Sequence, residues 1–272
     1  MRVTQYVSAL IIAIIAMSGS FQQGLFSTSR ILVSFMALLF LVGNPSLTVA
    51  QTMTVTVAST TTTTIHDTGM PIASGWSLVG TGQGGTLHMS SFAAPTRVTT
   101  VWKWVRDTSR WAFYAPSLDA QGGTVLADYA ASQGYEVLTA INPGEGFWVN
   151  ASQAFFLSWY SGGEISSTSF QAGKPGALKQ GWNLIAICPP RTPGEFNLDI
   201  GASPPAAWVV PVNLTTLWAW DNLQSKWYFY SPGLEAQSGT ALTDYIASQG
   251  YLDFTANSKK LGPWMGFWVN KP

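Results

Sequence analysis

Five phrases occur twice in this chain, in the same order, and no other feature limits its fold so strongly. Gly75-Trp76-Ser77-Leu78-Val79 returns as Gly181-Trp182-Asn183-Leu184-Ile185. Trp102-Lys103-Trp104 returns as Trp218-Ala219-Trp220, and Arg110 to Pro116 (RWAFYAP) returns as Lys226 to Pro232 (KWYFYSP). Leu126 to Tyr135 (LADYAASQGY) returns as Leu242 to Tyr251 (LTDYIASQGY), and Gly146 to Asn150 (GFWVN) closes the first copy as Gly266 to Asn270 closes the second. A chain written twice is expected to fold as two homologous units.

The period within one copy predicts its elements. GW(S/N)L(V/I) reads as a short apolar strand. In Val98 to Val105 the rings of Trp102 and Trp104 fall two apart and share a strand face, with Val101, Lys103 and Val105 on the other. In the next strand Trp111 and Phe113 share a face, Tyr114 lies on the opposite one, and Pro116 ends the run. The turn-forming residues Arg106 to Ser109 and Asp221 to Ser225 join these strands as hairpins. Thr124 to Gln133 reads as a helix with Gly134 as a left-handed C-terminal cap and Tyr135 packing back on it. Val137 to Ile141 and Phe147 to Asn150 add strands. The expected class is α+β and mostly β: two tandem modules, each an antiparallel sheet with one short helix. Phe147 and Val149 fall on one face of the closing strand and Trp148 and Asn150 on the other, so the phrase reads as a latch on a sheet packed on both sides.

The module boundaries follow. Residues 1–50 contain two apolar runs, Val7 to Met17 and Ile31 to Val42, each too short for a spanning helix, and Thr48 and Ala50 suit a signal cleavage site after Ala50. Residues 51–74 read as a Thr-rich tether, 75–160 as module 1, 161–180 as a Gly/Ser/Pro linker and 181–272 as module 2. The linker allows the copies to fold separately or to pack as a pseudo-symmetric pair. The stretches between the first two phrases differ in length and read as surface loops, including the Pro-rich insert Cys188 to Pro211. Cys188 is the only cysteine, which excludes an intrachain disulfide, and it reads as a buried apolar residue.

These phrases resemble a Trp-rich repeat module at the ends of exported bacterial proteins, one that opens on GWNLI and closes on GxGFWV or GKGYWV. Gly181 to Ile185 and Gly146 to Val149 carry the match, and Trp264-Met265 departs from it. The resemblance implies an exported, non-catalytic surface domain in the bacterial envelope and brings no active-site residues.

Composition narrows the chemistry. Balanced charge, with 13 basic and 13 acidic residues, gives no basic excess for nucleic acid. His66 and His88 are the only histidines and form no zinc-spaced cluster. Asp128/Asp244 and Asp119/Glu235 recur once per copy, which is not the paired arrangement of a glycosidase, and Glu145 is replaced by Met265. Thr81 to Gly85 (TGQGG) lacks the Lys-Ser/Thr of a phosphate loop and reads as a flexible turn. A hydrolase is the remaining, third reading; no catalytic, cofactor-binding or metal residue is assigned.

Aromatics are the surplus, with 13 tryptophans. Trp76, Trp111, Trp148 and their copies are expected in the core, and the WxW pair stays open between core and contact surface. Candidate contacts for a ligand or partner are Trp102, Trp104, Tyr114, Trp159, Trp208, Trp218, Trp220, Tyr230 and Trp264. The leading expectation is attachment at a cell surface or matrix by ring stacking on polysaccharide. The alternative is a subunit of an extracellular filament, layer or membrane-associated assembly, with other copies of itself as partners. The membrane is reached only through residues 1–50, if they are retained.

Overall fold

The computed structural model describes residues 69–83, 85–158, 162–201, 210–237 and 239–272. The expected signal segment, most of the tether, His66, Trp159 and Trp208 lie outside them. In chain order the first half carries β1 (Met70–Ile72), β2 (Gly75–Gly80), β3 (Leu87–His88), β4 (Val98–Val105) and β5 (Arg110–Tyr114). It continues with α1 (Pro116–Asp119), α2 (Val125–Ser132), β6 (Glu136–Val137), β7 (Ala140–Ile141), β8 (Gly146–Ala151) and β9 (Phe155–Leu157). The second half carries β10 (Gly181–Ala186), α3 (Pro193–Asp199), β11 (Thr216–Asp221) and β12 (Lys226–Tyr230). After them come α4 (Pro232–Glu235), α5 (Ala241–Gln249), β13 (Leu252–Asp253) and β14 (Trp264–Lys271). The protein is α+β and mostly β.

Both halves build the same sheet, β2-β8-β4-β5-β6 and β10-β14-β11-β12-β13, with the last strand of each parallel to its neighbour and the rest antiparallel. The expected hairpins are β4/β5 and β11/β12, and Ser109 and Ser225 take the same left-handed turn conformation (φ 51° and 50°). Both helix caps form as the sequence predicts. Gly134 and Gly250 are left-handed (φ 76° and 71°), which lets the amides of Tyr135 and Tyr251 reach back to Ala130 O and Ile246 O.

The pleat sorts each sheet into two faces. On one face Val101, Tyr114, Phe147 and Val149 meet Met70, Ile72, Phe92 and Ile141 in the first core. Their counterparts Leu217, Tyr230, Phe267 and Val269 meet Phe196, Leu214, Phe254 and Leu261 in the second. Both cores are closed by a phenylalanine set edge-on against the latch phenylalanine. Phe92 reaches Phe147 at 5.8 Å from the 3-10 turn Met89–Phe92, and Phe196 reaches Phe267 at 5.3 Å from α3. The unequal loops are therefore two lids on equivalent cores. The second is set by a capping box in which Thr192 and Glu195 satisfy each other's backbone amides.

Three expectations are corrected. The tether does not run to residue 74: Met70–Ile72 pairs with Phe155–Leu157, and burial of Met70 and Ile72 draws it into the first core. The segment 162–180 is a docked strap rather than a free linker. Phe170 and Leu178 are buried in the second core, and Ile165 donates its amide to Gly82 O while accepting that of Cys188. Gln171 and Ser167 both reach Asp199, which also pairs with Arg191 at 2.9 Å. The turn at Thr81-Gly82 is packed, because a Cβ on Gly82 would lie 2.1 Å from Ile187 O of the other half.

Candidate functional site

The other face of each sheet carries tryptophan. Cross-strand pairing sets Trp102 opposite Trp148 and Phe113, and Trp104 opposite Trp111; in the second half Trp218 lies opposite Trp268 and Phe229, and Trp220 opposite Trp227. The tyrosines of α2 and the segment after it cover the outer part of this face. Tyr135 sits edge-on to Trp102 at 5.0 Å and Tyr129 reaches Phe113 at 5.3 Å, as Tyr251 and Tyr245 do for Trp218 and Phe229.

The inner part is covered by the other half, reciprocally. Trp148 of the first latch packs on Trp220 and Trp227 of the second hairpin, at 6.0 and 5.8 Å. Trp268 of the second latch packs on Trp104 and Trp111 of the first hairpin, at 6.0 and 5.8 Å. Trp76 backs Trp148 and Trp182 backs Trp268, both edge-on, at 6.1 and 6.0 Å. Each half thus gives its hairpin to the other's latch, the mutual pattern of a two-fold contact, here made within one chain. We call the contact of the first hairpin with β10 and β14 the first seam, and that of the second hairpin with β2 and β8 the second seam.

The backbones join along the same line. Met265 pairs with Val79, and Glu145, its counterpart, bridges to Ile185, the counterpart of Val79. The latch glycine allows this approach. A Cβ on Gly266 would sit 2.3 Å from Val79 O, and one on Gly146 would sit 2.9 Å from Ile185 O. Residues Ile65–Pro272 accordingly form one unit.

These contacts decide most of the candidate residues. Trp102 is 2% exposed, Trp104 6%, Trp218 4% and Trp220 9%, so the WxW rings are core and offer no stacking face. Tyr114 and Tyr230 are buried on the opposite sheet face, where their hydroxyls donate to Asp119 (2.9 Å) and Glu235. Trp264 is half-buried against the first core, so its contact is with the other half of its own chain. It holds a left-handed backbone (φ 68°) where the first copy has Gly144 (φ 83°), strain of about 1–3 kcal/mol that the packed ring offsets. Trp159 and Trp208 remain candidates outside the described residues.

Burial, then the hydrogen bond to Asp119 and its charge, push the Tyr114 phenol up to about 12; the same causes, with Glu235 as partner, raise Tyr230. Free phenols titrate near ~10, so above that pH the unfolded chain loses protons the folded one keeps. The stability these pairs give is complete below pH ~10 and is lost as pH rises toward about 12. In an alkaline titration, part of the ultraviolet tyrosinate signal should therefore appear only together with unfolding. Tyr114→Phe should be less stable at neutral pH and lose stability less steeply between pH ~10 and about 12.

The recurring acids do structural work. Asp128 and Asp244 accept from Thr124 and Thr240 one helical turn earlier, at 2.8 and 2.6 Å. Glu145 pairs with Lys103 at 2.9 Å and caps the amide of Asn142 at 2.6 Å, while Lys103 also donates to Ala140 O. The duplication explains this pair, because in the second copy both members change together, to Ala219 and Met265. Glu145→Met alone should cost about 1–3 kcal/mol by leaving the mostly buried Lys103 ammonium without its partner. Adding Lys103→Ala should recover most of that loss, as urea midpoints of the single and double variants would report. His88 is exposed in β3, and no three His, Cys, Asp or Glu among the described residues are grouped to hold a metal.

Several apolar side chains do face solvent, among them Phe156 at 60% and Leu223 at 95%. Phe156 lies opposite Pro71, also exposed, on the outer face of the β1/β9 ribbon, with the Arg97 guanidinium over the neighbouring Phe155 ring at 5.4 Å. The sequence does not single out Phe156, because in Phe155-Phe156 either ring can face outward. Only the pairing with Met70–Ile72 tells which of them turns outward. Compared with models of known protein families, with curated proteins and with solved structures, the chain matches none.

Proposed function

We propose that this chain is an exported, non-catalytic attachment protein in which the duplicated sheet is a rigid scaffold and the outer surface makes the contact. The observation that carries the reading is the use of the repeated residues. The recurring tryptophans are packed in the seams or under tyrosines, and the recurring carboxylates accept from threonine or tyrosine hydroxyls of their own copy. The signal-like segment and Thr-rich stretch before the scaffold support export and tethering. Resemblance to exported Trp-rich modules points the same way.

Polysaccharide remains the proposed partner, but the stacking surface moves. It passes from the WxW pair to Phe156 and to the copy-specific Trp159 and Trp208. A polysaccharide pull-down or glycan array with the chain from residue 51 onward tests this. Binding that Phe156→Ala or Trp159→Ala abolishes, with the circular dichroism spectrum unchanged, supports the reading. An absence of binding to any glycan, or binding indifferent to both substitutions, contradicts it.

A second reading, a subunit of an extracellular assembly, is favoured by the seams themselves. Their two sides are complementary surfaces carried by one sequence, so other copies of the chain can supply either side. Size-exclusion chromatography and electron microscopy separate the two readings.

A further inference from the structure

The two seams are built from equivalent residues and are not equally closed. At the first, Trp104 Nε1 donates to Trp182 O at 3.0 Å and Arg106 Nη1 donates to Gly176 O at 3.0 Å. Lys179 Nζ lies 3.2 Å from Asp107 Oδ1. Gly176 and Lys179 belong to the docked strap, so this seam is held by the covalent connection between the halves as well as by its bonds.

At the second seam the corresponding pairs are Trp220 with Trp76, Asn222 with Met70 and Leu223 with Ala73. Asn222 Nδ2 donates to Ser77 Oγ at 3.3 Å. Trp220 Nε1, Trp148 Nε1 and Asn222 Oδ1 are buried there with no hydrogen-bond partner. Leu223 stands where the first hairpin has the salt-bridged Asp107; its turn is fixed by Asp221 Oδ1, which accepts the amides of Leu223 and Gln224 at 3.0 and 2.9 Å. Among the described residues the first seam has one such orphan, Trp111 Nε1, against three at the second; buried donors and acceptors without partners weaken a contact, while three directed bonds strengthen the first. If the halves part, they part at the second seam.

We propose that the second seam is an interaction surface for a second copy of this chain. With the first seam intact, opening the second exposes Trp220 and Trp227 on one half and Trp76 and Trp148 on the other. A chain opened in the same way carries the complement of each. The hairpin of one chain closes on β2 and β8 of its partner, the partner's hairpin closes on the first, and the pair is complete with two-fold symmetry. Every ring contact of the closed monomer is remade between chains. Within one chain the two sides face each other at an effective concentration of about millimolar, so the dimer grows in as protein concentration approaches that range. The proposal holds whether or not the outer surface binds polysaccharide.

The test is native mass spectrometry of the intact chain over a concentration series, with hydrogen exchange on the monomer. The expected results are a dimer that increases with concentration and outlasts rapid dilution, because dissociation requires the seam to reopen. Amides of Gly75–Leu78 and Thr216–Asp221 should exchange faster than those of Gly181–Leu184 and Thr100–Val105. The double variant Ala73→Lys, Leu223→Asp rebuilds the Lys179–Asp107 pair at the second seam; it should slow dimer formation about two- to fivefold, the range of an exposed ion pair, and leave the equilibrium dimer fraction unchanged because the dimer remakes the same pair. A chain monomeric at every concentration, a dimer lost at once on dilution, or equal exchange at the two seams overturns the proposal.

Discussion

Trp268→Ala is expected to destabilise both halves of the protein together, by about 3–5 kcal/mol, the range for a buried tryptophan cut to alanine. The ring lies on the second copy's latch, yet its neighbours are Trp104 and Trp111 of the first copy and Trp182 of its own. Its removal opens a cavity in the first seam, where the surrounding rings are held by sheet backbone and cannot collapse into the space. For a unit of this size each kcal/mol moves the melting midpoint by about 2–4 °C, so a fall of about 6–20 °C is expected. One transition should move as a whole. The double variant Trp104→Phe, Trp268→Phe should show a coupling of about 0.5–1.5 kcal/mol between the two sites, measured as a double-mutant cycle. If Trp268→Ala moved only the second half's signals, the seam would not be joining the halves.

The second large effect is expected from one methyl group. In Gly266→Ala the new Cβ would stand 2.3 Å from Val79 O and 2.9 Å from Val79 C, both backbone atoms of a paired strand. Neither β14 nor β2 can yield without breaking the Met265–Val79 pairing that joins the sheets, and a loss of about 3 kcal/mol or more follows from overpacking against backbone. The same change at Gly146 should cost less. Its nearest atoms are Ile185 O at 2.9 Å and the mobile end of Leu184 at 3.0 Å. Urea midpoints ordered wild type, Gly146→Ala, Gly266→Ala, from most to least stable, check the ranking. A variant of Gly266 as stable as wild type would mean that the two backbones are not in contact.

Much of this architecture was legible in the duplication. Strands, hairpins, the helix with its glycine cap and the two faces of the latch follow from local period, because side-chain direction in a strand depends only on parity. The fate of the WxW rings was not legible. Parity puts Trp102 and Trp104 on one face but does not say what covers that face; the answer is the tyrosine just after the helix, Tyr135, for one ring and the other copy for its neighbour. A ring surplus on one face of a repeated sheet fits a sugar-binding platform and a self-contact equally well. The alternation of Lys103/Glu145 with Ala219/Met265 was in the sequence from the start, but only the 2.9 Å pairing shows that the two positions are one site. The strap was misread for a related reason. Its Gly, Ser and Pro content suits a free linker, and its anchors Phe170 and Leu178 are two apolar residues among many polar ones. Function was least legible, since residues repeated for packing look the same as residues repeated for binding.

Two copies of one sequence here form a single cooperative body joined through their tryptophan faces. Differential scanning calorimetry of the chain from residue 51 onward tests it most directly. One endotherm is expected, with calorimetric and van't Hoff enthalpies that agree, shifting intact to lower temperature in Trp268→Ala. Two resolved endotherms, with only the later-encoded half responding to that substitution, would contradict it.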